Sequence, residues 1–171
     1  MSDDLFNPPS GLPKIWIGID PGEHTGIAIY SKADGLKLQT LTFWKTIDFL
    51  SQYILPRMGK EADFFVVIET PQYNNFMYGR NVDSRKVAEA LRIARNVGMN
   101  QGDAKRLTQF LKIHNIPVEE FTPGPRDQKW PAPYFKHLTG IETAQTAEHV
   151  RDAARFISRF WIDDLTRRQK M

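Results

Sequence analysis

The chain has 171 residues and a mass of 19.7 kDa, with 41% hydrophobic, 25% charged and 12% aromatic residues, an ordinary globular composition that excludes a disordered chain, a collagen and a coiled coil. No apolar run approaches the roughly 18 residues of a membrane helix, and the absence of cysteine excludes a disulfide scaffold, a thiol nucleophile and a Cys-based zinc site. The first 78 residues hold 6 Lys/Arg against 9 Asp/Glu and the remaining 93 hold 17 against 11, so the basic character sits in the second half and invites a polyanionic partner.

Residues 1–13, rich in Pro, Asn and Asp, form a loose tail. They lack the basic start and apolar stretch of a secretory signal, so a protein of the reducing cytoplasm is expected. One domain fills residues 14–171. Alternating Ile15, Ile17 and Ile19 mark a strand over 14–20. A turn over 21–25 leads to a second strand over 26–30. Asp34-Gly35 signals a hairpin, and 36–44 alternates as a third strand. Thr46 is placed to cap a helix with Ile47, Phe49, Leu50, Tyr53 and Ile54 inward, closed by Pro56 and Gly59. The unbroken apolar run 64–68 reads as a central strand covered on both faces. A polar and aromatic loop follows over 70–81. A helix over 84–97 turns Val87, Ala90, Leu91, Ala94 and Val97 to one face. Residues 98–102 interrupt it and 103–115 resume it. A short strand over 118–121 precedes a loop with four prolines over 122–133. One helical turn over 134–138 follows, and Thr146 caps a long final helix to about residue 168.

This order gives an α/β fold, and right-handed crossovers place the 64–68 strand parallel to the first. The expected sheet is five-stranded and mixed, of order 3-2-1-4-5, with only strand 2 antiparallel, flanked by helices.

Asp20 ends strand 1 and Glu69 ends strand 4. On parallel neighbours both carboxylates leave the same edge, where open α/β sheets place ligands. Two adjacent carboxylates raise each other's pKa unless a positive charge lies between them. A divalent cation with hard oxygen ligands, Mg²⁺ or Mn²⁺, meets that need. Taken singly, Asp20 reads as a turn former in Asp-Pro-Gly and Glu69 as a surface strand end. His149 and Asp152 share a helix face, three residues apart, beside the apolar stripe Val150, Ala153, Ala154, Ile157, Phe160 and Trp161. A core-edge histidine and an Asp152–Arg155 surface pair are the plainer alternatives. Arg151, Arg155 and Arg159 recur every four residues, as a solvated ridge or as a ridge for phosphates. In the loop after Glu69, Tyr73, Asn74, Phe76 and Arg80 are candidate nucleic-acid contacts, and the aromatics could stack on unpaired bases or enter a duplex step. A partly buried or dimer-contacting loop accounts for them equally well.

These residues together resemble the RuvC-type Holliday junction resolvases of the ribonuclease H-like superfamily. The likeness is carried by Gly18-Ile-Asp20-Pro-Gly22 with Thr25-Gly26, the apolar strand ending in Glu69, the helical stretch over 87–115, and His149-Val-Arg-Asp152-Ala-Ala. It spans about residues 14–162. The resemblance implies a ribonuclease H-like fold. It implies that Asp20, Glu69, His149 and Asp152 hold two Mg²⁺ ions, replaceable by Mn²⁺, and carry the catalysis. It also implies a homodimer that resolves four-way DNA junctions by paired nicks. A basic residue after strand 5 is implied too, with Lys129 first and Arg126 second. An aromatic that enters the junction is implied, as Tyr73 or Phe76. A nuclease of the same fold acting on RNA or other branched DNA, of the YqgF-like kind, and a non-catalytic nucleic-acid-binding protein remain alternatives. An actin- or hexokinase-type ATPase needs two such domains, for which the chain is too short.

Overall fold

A computed structural model describes residues 11–70, 87–124 and 128–168 of the chain. Three strands open it: β1 (Lys14–Asp20), β2 (Thr25–Ser31) and β3 (Gly35–Leu41). Helix α1 (Phe43–Phe49) runs into a π-helical turn over Leu50–Ile54 and crosses to β4 (Asp63–Glu69). The long helix α2 (Val87–Ile113) leads to β5 (Val118–Phe121), and α3 (Ala132–Thr139), α4 (Glu148–Phe156) and α5 (Ser158–Arg168) complete the chain.

The five strands form one sheet in the order β3-β2-β1-β4-β5. β2 runs antiparallel to β1 and β3, while β4 is parallel to β1 and to β5. This is the expected mixed sheet. Alternation along each strand sorts side chains to two faces. Ile15, Ile17, Ile19, Ile27, Phe64, Val66 and Ile68 go to one, where Leu50, Ile54, Leu107 and Leu111 cover them. Ala28, Tyr30 and Val67 go to the other, under Phe135, Ala153, Ala154, Phe156 and Trp161. Helices therefore cover both faces, as the unbroken apolar run in β4 requires.

Two glycines set how closely α4 lies on the sheet. A Cβ added at Gly18 would stand 1.9 Å from the Ala153 carbonyl oxygen, and one at Gly26 would stand 2.2 Å from the His149 carbonyl. Hydrogen alone fits at both points, so the backbone of α4 rests on the backbones of β1 and β2.

Several boundaries depart from the sequence reading. The third strand stops at Leu41, and α1 starts at Phe43. Thr46 does not cap it. It is buried within the helix, with its hydroxyl donating to Thr42 O at 3.0 Å. The break expected over 98–102 is absent from α2. Glycine costs a helix only about 1 kcal/mol relative to alanine, and the buried face of Ala104, Leu107 and Leu111 outweighs it. The side chains of Val87, Ala90, Leu91, Ala94 and Val97 lie outside those described. The turn expected over 134–138 is the two-turn helix α3, ended by Gly140 in the left-handed conformation at φ 74°. The final helix is two helices. Its cap is not Thr146 but Ala147, which offers no side-chain hydrogen bond. The chain bends at Ile157 (φ −102°, ψ 11°), where the Trp161 indole N–H donates to Ala154 O at 3.0 Å. Residues 1–10 of the expected tail lie outside the described residues. No described helix is long and apolar enough to cross a membrane.

Candidate active site

Ile19 pairs with Ile68 across the parallel β1–β4 ladder, so the next residues, Asp20 and Glu69, emerge side by side at the carboxyl edge of the sheet. From one face, the first turns of α4 bring His149 and Asp152 over the same edge. Asp20, Pro21, Glu69, Asn100, Ala104, Lys129, His149 and Asp152 line one cleft of about 230 Å³. Residues far apart in the chain thus meet because a strand order, a parallel register and a close helix–sheet contact all hold together.

The groups in the cleft are tightly coupled. His149 Nδ1 lies 2.8 Å from Asp20 Oδ2, and Asp20 is only 7% exposed. That hydrogen bond to a carboxylate raises the histidine above its ordinary value, against the opposing effect of burial. Burial pushes Glu69 up to about 7, and the charges of Asp20 and Asp152 push the same way. Asp152 is raised by burial first and by Asp20 second, with Lys129 and Arg155 restraining it. The Lys129 ammonium lies 2.8 Å from Glu148 Oε2 and 3.6 Å from Asp152 Oδ2. Its hydrogen bond to Glu148 holds its pKa above the usual lysine value.

Asp20, Glu69, Asp152 and His149 are therefore the groups that could hold a cation. Among the described residues, no three or more His, Cys, Asp or Glu side chains are arranged as they stand to hold a metal ion. The donor chemistry fits a hard divalent ion even so: Glu69 is held up to about 7 by burial first and then by the negative charges of Asp20 and Asp152 beside it. Such a cluster is short of positive charge, which a cation supplies.

The other expected contacts fare differently. Lys129 stands in the cleft. Arg151 does not face outward. It is 3% exposed, and its guanidinium is turned inward onto the Trp130, Ala144 and Gln145 carbonyls and the Thr143 hydroxyl. A phosphate-contacting role for Arg151 is thereby corrected, because it is buried and four of its N–H donors are occupied within the protein. Arg155 lies half-buried, with Nε 3.5 Å from Asp152 Oδ1 and its guanidinium over the Phe121 and Phe156 rings. Arg159 pairs with Glu119 of β5. The ridge of arginines thus disperses: the 100° step that aligns them on a wheel takes no account of the bend at Ile157 or of the loop packed over Arg151. Tyr73, Asn74, Phe76, Arg80 and Arg126 lie outside the described residues. Sequence reasoning missed Asn100, which lines the cleft from α2, because it fell in the expected interruption of that helix. Glu148 was missed as well, and its adjacency to His149 was the available signal.

The chain matches no protein-family model, no curated protein and no solved structure.

Proposed function

We propose that the chain is a divalent-metal-dependent nuclease that hydrolyses phosphodiester bonds in branched DNA, with four-way junctions as its substrate and a homodimer as its working form. One observation carries the hydrolase reading: Asp20, Glu69, His149 and Asp152 share a single cleft at the carboxyl edge of the sheet. The preference for DNA junctions and the dimer rest on the resemblance to RuvC-type resolvases and on the basic second half of the chain.

When bound by these four residues, Mg²⁺ ions would supply an activated water and neutralise charge at the scissile phosphate. The chain's own groups do the rest. Asp20 holds the His149 imidazole by Nδ1, which leaves Nε2 as the group that takes a proton or a cation. Lys129 brings a positive charge to the acidic cleft, where it can meet a non-bridging phosphate oxygen once the carboxylates are neutralised. Glu69, held up to about 7 chiefly by burial, would give up its proton to a cation held there.

The test is incubation of labelled four-way, forked and linear DNA, and of RNA, with and without Mg²⁺. Paired nicks in the four-way junction are expected only with the metal. Asp20→Asn is expected to abolish cleavage, because it removes a charged ligand of the proposed metal, while junction binding persists. Mg²⁺-dependent cutting retained by that variant would refute the assignment. Cleavage confined to RNA would favour the YqgF-like reading, and binding without any cleavage a non-catalytic one.

A further inference from the structure

We propose that Arg151 is a positioning residue, a buried clamp on α4 that fixes the Lys129 ammonium against the carboxylates of the cleft. The proposal deepens the nuclease reading and rests on it for the phosphate that Lys129 would meet. Arg151 sits between His149 and Asp152 on α4 and is 3% exposed. Its Nε–H donates to Trp130 O at 2.9 Å. One terminal nitrogen donates to Thr143 Oγ1 at 3.1 Å and Ala144 O at 2.7 Å, and the other to Gln145 O at 3.0 Å. The acceptors are three backbone carbonyls and one hydroxyl, all uncharged.

A buried cation is costly unless its donors are met, and a well-packed apolar residue often stabilises a fold as well or better. What the guanidinium adds is a fixed fan of donors, which sets the register of everything it touches. Here it ties residue 130 and the loop over 143–145 to the helical turn that carries His149 and Asp152. Lys129 is one peptide bond from that anchor. Its side chain is long and 65% exposed, and ion pairs so exposed hold little by themselves. The 2.8 Å and 3.6 Å approaches of Nζ to Glu148 and Asp152 therefore depend on where the backbone at 129–130 is pinned, and Arg151 pins it.

The test compares the full chain with Arg151→Met, Arg151→Lys, Lys129→Ala and the Arg151→Met/Lys129→Ala double variant. The first readout needs no activity: acylation of Lys129 by an amine-reactive reagent, measured by peptide mass spectrometry relative to exposed Lys105. In folded Arg151→Met, Lys129 is expected to label about threefold faster, as for loss of an exposed pairing. Unchanged labelling would overturn the clamp. The second readout is single-turnover cleavage of a synthetic four-way junction in Mg²⁺. Arg151→Met is expected to lose about tenfold or more, the scale of a misplaced group, and the double variant to be no slower than Lys129→Ala alone. Losses that multiply in the double variant would mark a merely structural arginine and sink the proposal. If Arg151→Met fails to fold by circular dichroism, Arg151→Lys decides by the same two readouts, since an ammonium cannot reproduce the fan. A wild-type chain inert on every nucleic acid, with labelling that still responds, would sink the nuclease reading and support the clamp.

Discussion

Three ionisable groups of the cleft lean one way. Glu69, Asp152 and His149 each bind a proton more tightly in the folded chain than in the unfolded one. For Glu69 the native form keeps its proton up to about pH 7, so stability falls as pH rises from the ordinary carboxylate range towards 7. For His149 the stabilisation is full below its ordinary value and is lost as pH rises through the raised one. Asp34 and Glu148 are lowered instead, but what they contribute is lost only in acid. The metal-free protein is thus expected to unfold at higher urea near about pH 5.5 than near about pH 8. A divalent cation held by the proposed ligands would compete with those protons, so Mn²⁺ is expected to raise the midpoint more at the higher pH. A midpoint that climbs with pH in the absence of metal would contradict this account. So would a metal effect greater in acid.

At the scale of elements, the decisive contact is α4 on the sheet. Gly26→Ala would drive a methyl group into the His149 carbonyl, backbone against backbone, where nothing soft can yield. The expected cost is about 1–3 kcal/mol or more, and because the displaced turn carries His149, Mn²⁺ binding should fall as well. Gly98→Ala is the contrast. Nothing lies within 4 Å of an added Cβ there, so a gain of about 0.5–1 kcal/mol with unchanged Mn²⁺ binding is expected. Thermal melts and calorimetry on both variants read the two outcomes. The same elements explain what the sequence made legible. Strands were readable because alternation and an unbroken apolar run report directly on which faces are covered, and crossover handedness then placed Asp20 beside Glu69. Helix boundaries were not, because they depend on tertiary contacts. The buried face of Ala104, Leu107 and Leu111 carries α2 past two glycines, and the Trp161 indole satisfies a carbonyl at the bend after α4. Arg151 was misread for the same reason: a helical wheel shows spacing but not the loop over 143–145 that closes on it.

For the whole molecule, a single sheet serves two cores. One is built from β-strand isoleucines with α2 and the segment after α1, the other from α3, α4 and α5. Neither can be lost without stripping a face of the strands that support the other, so one cooperative transition is expected. The four tryptophans make this testable. Trp161, Trp16 and Trp130 belong to the α4 side, while Trp44 is 74% exposed. Tryptophan fluorescence thus reports one core and far-ultraviolet circular dichroism reports both. Their urea midpoints should coincide, and an earlier fluorescence transition would show that the α4 layer peels off alone.

The hydrogen bond from His149 to Asp20 closes a loop of 129 positions. Contacts so distant form after local ones. While a ribosome is still extending the chain, its strand carboxylates stand exposed without their helical partners. Any chemistry that needs all four groups therefore waits until α4 has left the exit tunnel and packed on the sheet.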